Sequence, residues 1–151
     1  MADKITLGFF KALLTAALLY PAVALADVQI SEMDDIAGGT WSGTGNMVFT
    51  DMVCLYNTAG INVNMKATTT TGSFVFSNGT NTIPFSITAN GLTLIYNINR
   101  KVGTADTSSP TCNGAPATTL QLTVTEANLQ AAVASTGYQA VITLVITHAG
   151  I

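Results

Sequence analysis

From Tyr138 to Ile151 the chain reads YQAVITLVITHAGI, the strongest strand signal in the sequence. Successive side chains on a strand point to opposite sides, so Ile142, Leu144 and Ile146 share one face and Val141, Thr143 and Val145 the other. A strand apolar on both faces normally lies within a sheet or between layers, with a neighbour along each edge. Only Thr147 to Ile151 follow it, too few residues to fold back as a full partner. The expectation is a core strand whose far edge has no partner from its own chain.

Most of the sequence before it is strand-like. DVQISEM alternates at Val28 and Ile30 until the phase breaks at Glu32-Met33. NMVFTDMVCLYN and INVNMKAT supply Val48, Val53 and Leu55, then Ile61, Val63 and Met65, as period-two core positions. GSFVFSNGTNTIPFSITANGLTLIYNINR contains short apolar runs divided by Asn78-Gly79 and Asn90-Gly91, which suit hairpin turns with positive φ. Pro84 lacks the donor a ladder needs and belongs at an edge or bulge. KVGTADTSSPTCNGAPA reads as a long loop, and TTLQLTVT as a strand with Leu120, Leu122 and Val124 on one face. EANLQAAVAS breaks the rhythm: Thr125 can cap a helix that Glu126 favours in its first turn. Trp41, between the glycines of IAGGTWSGTG, is expected as a core plug. The pattern predicts an all-β fold, an immunoglobulin-like antiparallel β-sandwich with one short helical crossover.

The first 26 residues have the layout of a secretory signal peptide: Lys4 and Lys11, an apolar stretch from Ala12 to Tyr20, then Pro21 and Ala24-Leu25-Ala26 before the cleavage point. The apolar run is too short for a membrane anchor, and no later stretch of the mature chain could span a bilayer. The mature part, 27–151, suits one domain. Its bases are Lys66, Arg100 and Lys101, against Asp27, Glu32, Asp34, Asp35, Asp51, Asp106 and Glu126. There is no basic patch for nucleic acid and no basic amphipathic helix for a membrane surface. The surface is instead polar through Thr, Asn, Ser and Gly.

Cys54 and Cys112 are the only cysteines, and in an exported protein a lone pair forms one disulfide most economically. Chain-entropy arithmetic gives such a staple about 4 kcal/mol. The rest of the chemistry is thin. His148 is the single histidine and no G-x-S-x-G turn accompanies it, so no catalytic constellation emerges and the chain reads as a non-enzyme. One His without a free Cys makes no ordinary zinc site, and Glu32, Asp34 and Asp35 lack calcium-loop spacing and read as a solvated turn. GGTWSGTG lacks the Lys-Ser/Thr ending of a phosphate loop. No cofactor is implied.

If the last strand does lack a neighbour, a hydrophobic groove with unpaired backbone groups invites another chain's strand. A donor burying four or five aliphatic side chains would gain roughly 6–15 kcal/mol, comparable to the whole stability of an ordinary domain, about 5–15 kcal/mol. DIAGGTWSGTG, VCLYNTAG, the region from NGTNTIPFSI to LIYNINR, and the closing GYQAVITLVIT together resemble the spore-coat-U-like subunits of archaic chaperone–usher pili, across essentially the whole mature chain. The resemblance implies an immunoglobulin-like domain lacking its last strand. A periplasmic chaperone would lend that strand first, and a neighbouring subunit's N-terminal segment would replace it at an outer-membrane usher, giving a fimbria at the cell surface. On these positions it implies an acceptor groove bordered by Ile142, Leu144 and Ile146. It also implies a donor within residues 27–36, with Val28, Ile30 and Met33 as plugs. Because so little chain precedes GGTW, that segment could be donor, first domain strand or both.

A different reading stays open. The same aliphatic residues could complete a self-sufficient secreted sandwich that binds carbohydrate or a surface, with Trp41 and Tyr56 in a shared cleft.

Overall fold

The structure of the chain, a computed structural model, describes residues 27–149. The segment read as an export signal, 1–26, lies outside the described residues. The strands are β1 (Val28–Ser31), β2 (Met47–Asn57), β3 (Val63–Thr69), β4 (Val75–Ser77), β5 (Thr82–Pro84), β6 (Ser86–Ala89), β7 (Leu92–Thr93), β8 (Arg100–Val102), β9 (Thr118–Val124) and β10 (Ile142–His148). Among the described residues a single α-helix, α1 (Glu126–Ala131), links β9 to the last strand.

These strands form an all-β antiparallel sandwich. One sheet has the order β1-β2-β9-β6-β7, the other β10-β3-β8, and β4 pairs with β5 as a separate hairpin. The order β1-β2-β9-β6 matches the A-B-E-D sheet of an immunoglobulin sandwich, and β3-β10 matches its C-F pair. Between the layers, Val53 and Leu55 of β2, Leu120, Leu122 and Val124 of β9, and Ile87 and Ala89 of β6 meet Val63, Met65 and Ala67 of β3 and Leu144 of β10. Residues two apart share a face, so this inward set follows from the period-two pattern.

That same periodicity corrects two expected core positions. Val48 is 51% exposed, because the phase set by Val53 and Leu55 turns Met47 and Phe49 inward instead. Ile61 is 61% exposed and precedes the start of β3. A third departure lies after β7, where LTLIYNINR does not continue as one strand. Asn97 takes φ 57°, and Ile95 and Ile98 stay exposed while Tyr96 makes a single bridge to Ala67.

The turns follow their chemistry. Asn90 (φ 47°) and Gly91 (φ 78°) form the two-residue connection between Ala89 and Leu92, the positive-φ pair a tight hairpin requires. Asn78 accepts at Oδ1 from the amides of Thr80 and Asn81 and closes the β4–β5 turn, with Pro84 at the end of its short hairpin. Thr125 caps α1 by accepting from the Asn128 amide.

Cys54 points to the outer side of β2, yet it is fully buried. Its disulfide with Cys112, 58 residues away in sequence, draws the 103–114 loop across it. Asp106 fastens the same loop to β2, donating its amide to Leu55 O and accepting from the Asn57 amide.

Candidate functional site

The site the sequence points to is the outer edge of β10. β10 pairs with β3 over its whole length, from Ile142 opposite Thr69 to His148 opposite Val63. On an antiparallel edge strand every other residue turns both its N–H and its C=O away from the partner. Among the described residues, none from Ile142 to His148 makes a backbone–backbone hydrogen bond outside the β3 ladder. The expectation of two buried faces needs correcting, since only one face is covered: Leu144 is 8% exposed and Ile142 and Ile146 are half-buried against the core, while Val145 is 41% exposed. Ile142, Leu144 and Ile146 thus sit together on the core side of a strand with one free edge.

β1 is the edge strand of the other layer and runs beside β10, with Cα atoms within 8 Å and no ladder between them. Packed sheets usually stand about 10 Å apart, so the layers draw together at this edge. The structure uses Val28 and Ile30 as the first strand of the domain. They face inward from β1 opposite Asn57 and Leu55, and Ile30 is 6% exposed. Asp27 reinforces the pairing, donating its amide to Thr58 Oγ1 at 2.9 Å and accepting from the Thr58 amide at 3.1 Å. Ser31 Oγ donates to Pro110 O at 2.6 Å, tying β1 to the disulfide loop. Glu32 ends the strand at φ 58°, where the sequence phase breaks. Met33, the third donor candidate, packs half-buried against the core.

The far end of β10 is held by a polar cluster that periodicity did not reveal. Asn57 is fully buried on β2. Its Nδ2 donates to Asn62 O at 2.7 Å and lies 3.3 Å from His148 Nδ1, while its Oδ1 accepts from the Ala59 amide. Asn64 Nδ2 adds a bond to His148 O. His148 therefore has a defined setting, and its neighbours there are amides rather than a nucleophile. All buried side-chain polar atoms of the described residues have partners.

Trp41 is not a core plug. It is half-buried in the 32–46 loop, and its Nε1 donates to Gly45 O at 2.9 Å and Thr44 O at 3.2 Å. The aromatic packing lies elsewhere, where Phe74 stacks on Phe85 and meets Tyr96 edge-on, and Phe76 joins Phe85 to Phe49. Tyr56 and Trp41 belong to none of these pairs. In GSFVFS, Phe74 and Phe76 are visible as apolar residues, but the partners that gather them come from distant segments.

Among the described residues, the one clear electrostatic shift lies in the loop fastened to β2. The Asp106 carboxylate is held below the usual range by hydrogen bonds from the Ser108 amide and hydroxyl and the Ser109 amide. It organises a turn rather than facing a cleft. Among the described residues no group of three or more His, Cys, Asp or Glu comes together to hold a metal ion, and no helix is long and apolar enough to cross a membrane.

No family model, curated protein or solved structure matches this chain.

Proposed function

We propose that this chain is a structural subunit of a secreted pilus or fimbria, joined to its neighbours by a strand that another chain adds to the edge of β10. The observation that carries this reading is the edge itself. β10 presents Ile142, Leu144 and Ile146 on its core side and offers free backbone groups along its outer side. In a complete immunoglobulin sheet the C-F pair continues to a G strand, which would stand on that same side of β10. Strand addition supplies main-chain hydrogen bonds for affinity and side-chain pockets for register. The resemblance to spore-coat-U-like pilus subunits supports the same reading. With it come a periplasmic chaperone and an outer-membrane usher as partners, export through the periplasm, and a role in surface adhesion or biofilm formation.

For an added strand to seat its side chains in the core, the layers at β1 and β10 must part toward the usual sheet spacing of about 10 Å. The test is the thermal midpoint of the exported protein with and without a peptide carrying aliphatic residues at alternate positions. The expected result is a rise on the order of 10 °C with slow peptide release.

One observation favours a second reading. β1 buries Ile30 and closes against β10, as it would in a self-complete sandwich that binds a carbohydrate or a surface without polymerising. That reading predicts an unchanged midpoint with every strand tried.

A further inference from the structure

Asn57 and His148 meet across the gap between the two layers. Asn57 follows Val53 and Leu55 on the inward side of β2, and His148 follows Leu144 and Ile146 on the core side of β10. The 3.3 Å contact between Asn57 Nδ2 and His148 Nδ1 thus joins one sheet to the other, at the end where Val28 of β1 stands opposite Asn57.

The surrounding bonds fix which way round this contact runs. Asn57 is fully buried, and its Oδ1 accepts from the Ala59 amide at 3.1 Å. Its other side-chain atom stands 2.7 Å from Asn62 O, a carbonyl that can only accept, so that atom is the amide NH2. Turning the amide over would set oxygen against oxygen at Asn62 and N–H against N–H at Ala59. His148 Nδ1 consequently faces a donor. A bond forms only when Nδ1 is the accepting nitrogen and the ring proton sits on Nε2. An imidazolium has two donors and no acceptor. It would point N–H at N–H, and Asn57 has no second orientation to offer.

Charged groups on the adjoining elements do not take over. Asp27, before β1, is exposed, with its backbone bonded to Thr58. Asp106 meets Asn57 through its backbone carbonyl, while its carboxylate is engaged by Ser108 and Ser109. Lys66 alternates to the outer side of β3, and Arg100 and Lys101 lie on β8, with β3 between them and β10. The 58–62 turn holds no charged residue, nor does the rest of β10. Among the described residues no carboxylate bonds to the ring.

We infer that the Asn57–His148 contact is a pH-sensitive latch between the two sheets, closed with a neutral imidazole and opened when His148 takes up a proton. The bond belongs to the neutral ring. Its stability is therefore present at higher pH and is lost as pH falls through the range in which a histidine gains its charge, about pH 8 to 5. The Asn64 bond to His148 O does not involve the ring, so β10 stays on β3 while its hold on β2 is released.

His148 is the only histidine of the chain, so its ring nitrogens give an unambiguous NMR signal. At pH 8 the Nε2–H tautomer is expected. On titration to pH 5 the Asn57 side-chain amide signals should move together with those of the ring. The thermal midpoint should fall by about 4 °C more than in His148→Asn, whose Oδ1 keeps an uncharged acceptor at every pH. An Nδ1–H tautomer at pH 8, or Asn57 signals that stay in place while the ring titrates, would overturn the inference, and both are read on the unaltered protein. An equal fall of the midpoint in the two proteins would overturn it as well.

Discussion

Asp106 shows how much one side chain can organise. Its backbone bonds the loop to Leu55 and Asn57, and its carboxylate gathers the Ser108 and Ser109 amides. Those bonds favour the charged form, so the folded-state pKa is depressed. A depressed carboxylate contributes stability above its unfolded pKa, and loses it as pH falls through the ordinary range toward the folded value. Asp106→Asn keeps an acceptor at Oδ1 but removes the titration. Denaturant unfolding from pH 7 down to about pH 3 should therefore fall off less steeply in the variant. Equal slopes would mean that the turn does not sense the charge. None of this was legible in TADTSS, because the partners of Asp106 depend on where the loop crosses β2. Trp41 teaches the same lesson. A lone tryptophan among glycines suggested a core plug, but the glycines let the loop curl so that its own carbonyls take the indole N–H.

At the scale of elements, the turns were the most legible part. Asn90-Gly91 carries its own conformational requirement, and the structure adds a second task to Asn90. Its Oδ1 accepts from the Thr119 amide, and its Nδ2 donates to Thr104 Oγ1 at 2.8 Å, which in turn meets the buried Thr118 hydroxyl. Asn90→Ala should therefore cost about 2 kcal/mol, from lost hydrogen bonds and a strained φ together. Gly91→Ala, with open space around its Cβ, should cost only about 1 kcal/mol of backbone strain. Chemical unfolding of the two variants separates these costs, and a larger loss at Gly91 would contradict the assignment. The helix was also legible, because Thr125 and Glu126 are local signals. The run after β7 was not. LTLIYNINR is apolar enough for a strand, but Asn97 turns the chain in the left-handed region, and Ile95 and Ile98 remain in solvent. Tertiary context decided that segment, as it often does for strand propensity.

Across the whole molecule, the disulfide and the open edge act on the same strand. Cys54 ends the β1–β2 pairing opposite Ser31, and Ser31 bonds to Pro110 within the loop that Cys112 holds down. Replacing both cysteines by serine should cost about 4 kcal/mol and loosen β1 first. Calorimetry combined with proteolysis near residues 27–36 would detect both effects. Unchanged protection of β1 would separate the disulfide from the edge. The sandwich class could be read from strand spacing and turn residues, since each is a local property repeated along the chain. The free edge could only be suspected from the sequence. Which strands lie side by side depends on contacts between β3, β10 and β1, segments far apart in sequence, and the role of Val28 and Ile30 depended on whether β1 found β2.

Amide hydrogen exchange along Ile142–His148 tests the central claim most directly, in the free protein and again with a bound partner strand. The expected pattern in the free protein is alternation, with slow exchange where amides bond to β3 and fast exchange where they face outward. On strand addition the fast set should become as slow as the rest. Uniform protection of β10 in the free protein, or an alternation that no partner strand removes, would contradict a strand-accepting edge.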